Sequence, residues 1–383
     1  MKLLHLADLH IGKRVNEFSM LEDQRTILEQ ILQIADKEHP DVVLIAGDIY
    51  DKTIPPGEAV SVLDDFLTGL ARMGLPVFLI CGNHDSAERL NFGSRILKEQ
   101  GIIIASSYQG SLSPVILKDS YGEVEIYLVP FIKPALAAPF FPNLTLETTE
   151  DAVRAILEPI LDSPDRRRVL VAHQFVTNQG NLPQQSESET AYVGGSDAVD
   201  ASVFHAFDYV ALGHLHGPQK MLRDTIRYAG SPLKYSFSES RHKKSVTMVE
   251  LKEKGKVDIH QIPLTPLRDM REIRGPLEQL VHPDVVGSAN PLDYIQATLT
   301  DEEELMDPIG RLRVCYPNIM RLELENRPGR QEESKTAASG DISQKTPMEL
   351  FSDFYRTQNE KEMTEEQKAL MESLFQTSKE EMP

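Results

Sequence analysis

Through the first two thirds of the chain, short unbroken apolar runs recur, and each stops at a knot of polar residues. They are KLLHLADLH from Lys2, DVVLIAGDIYD from Asp41, PVFLICGNHD from Pro76, EIYLVPF from Glu125, RVLVAHQF from Arg168 and DYVALGHLH from Asp208. Runs this short, rich in Val, Ile and Leu and bounded by turn residues, predict strands buried on both faces. Helical spacing lies between several of them. From Met20 to Glu38, Ile27, Ile31 and Ile34 fall with Leu28 and Leu32 on one stripe, and Pro40 ends the pattern. The alternation predicts a layered α/β domain over residues 1–260.

Beyond it the pattern changes. IPLTPLRDMREIRGP, from Ile262, carries three prolines and leads into a smaller α+β unit over residues 261–325. A helix is expected over LDYIQATLTDEEELM, from Leu292, and a strand in MRLELEN, from Met320. Residues 326–346 have almost no apolar side chains and predict a flexible linker. Over 347–383 helical spacing returns with Leu350, Phe351, Phe354 and Tyr355, then Leu370, Leu374 and Phe375. Two amphipathic helices on a tether cannot bury those faces alone, so docking on a partner is expected.

Composition narrows the classes. At 383 residues and 40% hydrophobic, the chain has room for two or three domains of about 150 residues. No apolar run reaches the roughly 18 residues of a membrane span, and Met1 to His10 is too short and polar for a secretory leader, so a cytoplasmic location is expected. Cys81 and Cys315 are too far apart for a CxxC pair, which argues against a disulfide framework or a thiolate zinc site. Cys81 is expected to be a small buried strand residue. A net charge of −19 repels a phosphate backbone. An enzyme of nucleic acid with this balance needs bound metals, a local basic patch or a partner to bring the phosphate in.

The residues at the strand exits carry the chemistry. Asp8, His10, Asp48, Asn83, His173, His214 and His216 are all metal-ligand types. In a layered α/β domain the carboxyl ends of strands converge on one edge, so these positions can gather into one site. Asp-Leu-His and His-Leu-His would each chelate if the chain there is extended. Taken singly, every element is also ordinary: Gly-Asn at a strand exit is a turn signal, and His5, His39, His205, His242, His260 and His282 read as core or surface residues. Their occurrence together, each after an apolar run, is what points to a site. Seven ligands exceed the roughly three protein ligands of a catalytic zinc and suit two ions. Nitrogen and oxygen donors without thiolate favour Mn²⁺ or Fe²⁺, with zinc as an alternative. Paired divalent ions acidify water and neutralise a phosphoryl oxygen during in-line displacement, so phosphoester hydrolysis is the expected reaction class.

The order D-x-H, GD-x-x-D, GNHD, a lone His after a strand, then GH-x-H resembles the calcineurin-like metallophosphoesterase superfamily, which implies a β-sandwich flanked by helices. Longer stretches, among them HLADLHIGK, AYVGGSDAVDASVFHAFDYVALGHLHGPQ, YAGSPLKYSFSE and YIQATLTDEEELMDPIGRLRVCYPN, are similar to its SbcD family of bacterial nuclease subunits, from Met1 to about Glu325. The resemblance implies one ion held by Asp8, His10, Asp48 and His216 and another by Asn83, His173 and His214, with Asp48 bridging. It makes His84 a catalytic histidine that contacts the scissile phosphate without binding metal. Asp51 would orient His84 and hold it protonated, and Asp85 would support the turn.

The same resemblance implies two Mn²⁺ per chain, with Fe²⁺, Zn²⁺ or Mg²⁺ as alternatives. It implies 3′ to 5′ exonuclease action on double-stranded DNA ends and endonuclease action on single strands and hairpins, in DNA repair, recombination and replication. Residues 261–325 would form a DNA-capping domain, and the terminal helices would bind the SbcC ATPase in a nucleoid-associated heterotetramer of two SbcC and two SbcD chains. A homodimer is implied as well, through Leu63, Phe66 and Leu67 unless these are plain core. Two rival readings stand beside this one. A small-substrate phosphodiesterase or protein phosphatase would share the site. An inactive scaffold would have lost a ligand, and none of the seven is missing.

Overall fold

The structure, a computed structural model, describes residues 1–160, 165–189, 195–303 and 305–325, with Met348, Phe351, Ser352, Tyr355, Met363, Thr364, Gln367, Lys368, Leu370 and Met371. The expected linker, 326–346, lies outside the described residues, as does most of the expected helical pair over 347–383. No helix among the described residues is long and apolar enough to cross a membrane.

The chain divides into two compact units. The first comprises residues 1–272, 290–296 and 316–321. Five of its strands position the site: β1 (Lys2–Leu6), β2 (Val42–Ala46), β3 (Val77–Ile80), β4 (Arg167–His173) and β5 (Tyr209–Gly213). All but Lys2 among their residues are buried, as unbroken apolar runs require. One sheet runs Val257–Pro263, Ser245–Leu251, β1, β2, β3, Ile102–Ala105, parallel from β1 onward. The other runs Gln219–Met221, Arg223–Tyr228, β5, β4, Gly122–Val129, Val115–Asp119, parallel from Arg223–Tyr228 to Gly122–Val129.

The two sheets share one core. Leu3, Val42, Leu44 and Phe78 of the first pack with Val169, Val171, Tyr209 and Ala211 of the second. Helices α1 (Leu21–Glu38) and α2 (Gly57–Arg72) cover the first sheet's outer face, and α3 (Thr149–Leu157) covers the second's. Helix α1 buries Ile27, Leu28, Ile31 and Ala35, each large side chain contributing about 1.5–3 kcal/mol. Glu22 and Asp23 in its first turn and Lys37 in its last suit the helix dipole, and His39, left-handed at φ 50°, stops it ahead of Pro40. The result is an α/β sandwich flanked by helices.

The structure bears on two expectations. Leu63, Phe66 and Leu67 are buried in the core beneath α2, because that helix has one apolar stripe and the sheet takes it. This burial is what the plain-core alternative expects. Tyr294–Leu299, expected within a helix, is a strand in a three-stranded sheet with Met270–Gly275 and Ile319–Leu324. From Ile295 onward its burial alternates residue by residue, and aromatic Tyr294 with β-branched Ile295 and Thr298 favours a pleated surface over a helix. The second unit, residues 273–289, 297–315 and 322–383, contains the short helices Leu277–Leu280, Pro283–Val286 and Pro308–Cys315.

Between the sheets, His5 Nε2 donates to the Leu212 carbonyl at 3.2 Å, leaving Nδ1 to accept from the Tyr209 hydroxyl at 2.8 Å. Burial, aided by Arg227, pushes the His5 pKa down to about 3, so the ring is neutral in the core. Tyr209→Phe strands a buried acceptor and should lower the unfolding free energy by about 1–3 kcal/mol. Equilibrium urea unfolding measures this, and an unchanged midpoint would contradict a stabilising hydrogen bond between His5 Nδ1 and the Tyr209 hydroxyl.

Candidate metal centre

Parallel pairing brings the carboxyl ends of β1, β2 and β3 to one edge of their sheet, and those of β4 and β5 to one edge of the other. The two edges meet. A Cβ on Gly213, the last residue of β5, would lie 1.8 Å from the carbonyl oxygen of Ala46, the last residue of β2. On Gly82 it would lie 2.1 Å from Asp48 Oδ1. Only glycine permits either approach. The loops after β1 and β2 are laced together: Asp8 N donates to the Gly47 carbonyl at 3.1 Å, and His10 N to that of Asp48 at 2.9 Å.

Asp8, His10, Asp48 and His214 all have positive φ, at 53°, 44°, 48° and 111°. The extended chain expected for Asp-Leu-His and His-Leu-His is thus absent. Left-handed backbone, at a cost of about 1–3 kcal/mol per residue, turns these side chains inward. Strain concentrated at one cluster marks a place where the fold gives up stability for geometry.

Asp48 Oδ2 lies 3.6 Å from His10 Nε2, 3.4 Å from His173 Nε2 and 3.9 Å from His84 Nε2, while its Oδ1 accepts from His84 N at 2.9 Å. His173 donates Nδ1–H to the Ala46 carbonyl at 2.7 Å, which directs Nε2 at Asn83 Oδ1, 3.0 Å away. The same Asn83 oxygen is 3.0 Å from His214 Nδ1. On the other side, His216 Nδ1 donates to Ser188 Oγ at 2.7 Å, so Nε2 presents its lone pair to His10 Nε2 at 3.0 Å. Asp8 Oδ1 accepts from His214 N at 2.8 Å, whereas Asp8 Oδ2 and His10 Nδ1 are buried with no hydrogen-bond partner among the described residues, His10 Nδ1 lying 3.7 Å from Asp51 Oδ1.

Oxygens and imidazole lone pairs this close repel unless positive charge stands among them. Burial opposes charge on His173, yet Asp48 and Asp8 outweigh it and push its pKa up to about 9. Burial likewise drives Asp8 well above the usual carboxylate range, partly offset by His173. A divalent cation would take over the charge that a proton on His173 supplies, releasing it on binding. The donor set fits such ions. Asp8, His10 and His216 form one group with ligand atoms in mutual reach, Asp8, Asp48 and His173 a second, and His10, Asp48 and His84 a third. Asn83 and His214 adjoin the second through the contacts above.

His84 stands apart. Its side chain is 27% exposed, against 3% or less for Asp8, His10, Asp48, His173 and His216. Its Nδ1 donates to the main-chain carbonyl of Asp51 at 3.0 Å. The expectation that the Asp51 carboxylate orients His84 is corrected here. Asp51 N donates to the Ile11 carbonyl at 3.2 Å, and that pairing presents the Asp51 carbonyl to His84 while its carboxylate binds Lys13 Nζ at 2.7 Å. Asp85 supports the turn: its carboxylate accepts from the backbone N–H groups of Ile49, Tyr50 and Gly82 at 3.1, 2.9 and 2.9 Å. Sequence reasoning missed Ser188, Glu239 and Lys244 around His216, and Gln24, which donates to the His10 carbonyl at 2.7 Å. Such residue types are common on surfaces, and the signal that could have found one of them is the YAGSPLKYSFSE stretch, which contains Glu239.

Family comparison agrees with this site. The chain belongs to the calcineurin-like phosphoesterases, whose family model matches residues 1–218, and within them to the SbcD family. A curated relative of the latter, the SbcD chain of the SbcCD nuclease of Staphylococcus epidermidis, is 33% identical over 323 residues, 84% of this chain and 85% of that protein. A second family model, described as a type 5 capsule protein repressor C-terminal domain, matches residues 266–359. Two solved structures also match, and at their scores neither bears on the assignment. One is a dimetal phosphatase from Danio rerio, 12% identical, TM-score 0.42, covering 70% of this chain and 98% of that one. The other is the Thermus thermophilus protein TT1561, 12% identical, TM-score 0.40, covering 68% and 98%. The protein is a metal-dependent phosphodiester hydrolase.

Two substitutions separate holding metal from meeting substrate. His84→Gln should leave two ions per chain, counted by atomic emission after dialysis, while hydrolysis falls to background; loss of an ion would move His84 into the ligand set. Asp48→Ala should weaken both ions together, and a variant that keeps two tightly held ions would refute a bridging carboxylate.

Proposed function

We propose that this chain is the nuclease subunit of a DNA-processing complex, using two Mn²⁺ held by Asp8, His10, Asp48 and His216 and by Asn83, His173, His214 and the bridging Asp48. The observation that carries the reading is the half-open His84 ring beside a buried, electron-rich donor set. When bound, a divalent pair lowers the pKa of water and neutralises phosphoryl charge. The chain's own residues do the rest. His84, fixed by its Nδ1 bond to the Asp51 carbonyl, keeps Nε2 for a phosphate oxygen and assists departure of the leaving oxygen. The buried walls, from β4 and β5, keep bulk water off the donor atoms.

The relative's name, which makes it part of the SbcCD nuclease, supports a nucleic acid as substrate, taken here to be DNA, and SbcC as partner. On this reading the chain acts as a 3′ to 5′ exonuclease on double-stranded ends and as an endonuclease on single strands and hairpins. It assembles as two SbcC and two copies of itself, with residues 261–325 capping the DNA and 347–383 docking on SbcC, in the cytoplasm. A partner that presents DNA also answers the charge of −19.

The test is cleavage of labelled blunt duplex and hairpin DNA by the purified chain with and without Mn²⁺, beside turnover of a nitrophenyl phosphodiester. Mn²⁺-dependent DNA cleavage is expected. Fast turnover of the small ester with intact DNA would return the protein to the small-substrate phosphodiesterases. Truncation before Pro347 should keep this cleavage and lose co-purification with SbcC, whereas undiminished co-purification would place the docking segment elsewhere.

A further inference from the structure

His216 is gripped from several sides by buried and half-buried groups that lie outside the strand-exit motifs. Its ring Nδ1 donates to Ser188 Oγ at 2.7 Å, with Glu239 Oε1 at 3.3 Å, and Ser188 in turn donates its hydroxyl hydrogen to Glu239. Its backbone N–H donates to Glu189 Oε1 at 2.6 Å, and its carbonyl accepts from Lys244 Nζ at 2.9 Å. Lys244 also donates to Glu239 Oε2 at 2.5 Å and to Ser231 Oγ at 2.8 Å. Glu239 is 0% exposed and Lys244 6%.

A buried ion pair is an expensive way to fill a core, because two charges leave water and an apolar pair of the same volume is often as stable. This pair touches the ring edge and the carbonyl of one histidine, the last residue of GHLH. We propose that Lys244 and Glu239 are positioning residues for His216. The carboxylate, directly and through Ser188, holds the proton on Nδ1, so Nε2 always faces the metal centre and is made a stronger donor. The ammonium pins the carbonyl of the same residue and supplies the charge that lets the carboxylate stay ionised out of water. The pair thereby tunes one ion of the two: the one that His216 shares with Asp8 and His10. This rests on His216 being a metal ligand, as proposed above.

The experiment compares full-length wild type, Glu239→Gln, the neutral double variant Glu239→Gln/Lys244→Met, Ser188→Ala and His216→Ala. Three quantities are read: stepwise Mn²⁺ affinity by electron paramagnetic resonance titration, the thermal midpoint of the metal-free protein, and the His216 tautomer by ¹⁵N imidazole spectra of that form. Glu239→Gln should lose thermal stability and weaken one Mn²⁺ step by about 10- to 100-fold, with the other step unchanged. The double variant should regain the midpoint, yet keep the weakened step and show His216 no longer purely Nδ1–H. Ser188→Ala, which spares the ion pair and should fold whatever the others do, should weaken the same step severalfold.

Recovery of affinity along with stability in the double variant, or an unmoved step and tautomer in Ser188→Ala, would overturn the proposal and leave the pair a packing element. His216→Ala keeps the two readings apart. If it binds both ions as wild type does, His216 is no ligand and both readings fall; if it loses one step while the Glu239 and Ser188 variants do not, only the positioning role falls.

Discussion

The Asp48 carboxylate, buried where the edges of two sheets meet, is the constraint on which the rest depends. A carboxylate out of water needs positive charge close by, and one of its oxygens has ring nitrogens of three histidines within 3.9 Å. The other oxygen is tied to a backbone N–H, so the group cannot swing away. A second buried carboxylate, Asp8, adds to the demand. The fold has gathered more electron-rich atoms than its own protons can reconcile, which is the electrostatic description of a divalent-metal site.

The surrounding architecture follows from that demand. Two mixed sheets, parallel through the strands that carry the site, stack so that five strand ends share one region, and glycines after β3 and at the end of β5 let backbone approach within distances that a Cβ would forbid. Four of the donor-bearing residues accept left-handed backbone to aim inward. Behind them, Ala46, Ser188, Glu239 and Gln24 hold rings and carbonyls at hydrogen-bonding distance. Asp8, His10, Asp48, His173 and His216 are buried, whereas Asn83, His84 and His214 are partly exposed. A mostly buried donor set with a half-open edge at Asn83, His84 and His214 suits the reading proposed above, in which metal holding and phosphate contact fall to different residues.

Much of this was legible in the chain. Strands buried on both faces must be unbroken apolar runs, so β1 to β5 announce themselves, and aspartates and histidines at their ends stand out because turns seldom need imidazoles. What the sequence hid was conformation. Asp8 and His10 converge through left-handed backbone and not through extended pairing, and spacing alone does not distinguish the two. Asp51 was assigned the right neighbour but the wrong atom, since a loop hydrogen bond to Ile11 decides which of its oxygens faces His84. Tyr294–Leu299 reads as helix in the sequence because its apolar residues fit both periods. Glu239 lies in the YAGSPLKYSFSE stretch, but neither its burial nor its pairing with Lys244 leaves a local pattern.

Diffraction from crystals of the full chain grown with Mn²⁺, recorded at the manganese absorption edge, tests the paired-ion centre most directly. Two anomalous peaks are predicted about 3.5–4 Å apart. One should sit against Asp8, His10 and His216, the other against Asn83, His173 and His214, with Asp48 touching both and His84 touching neither. A single peak, or a peak bonded to His84 with Asp48 on one ion only, would contradict the bridged pair.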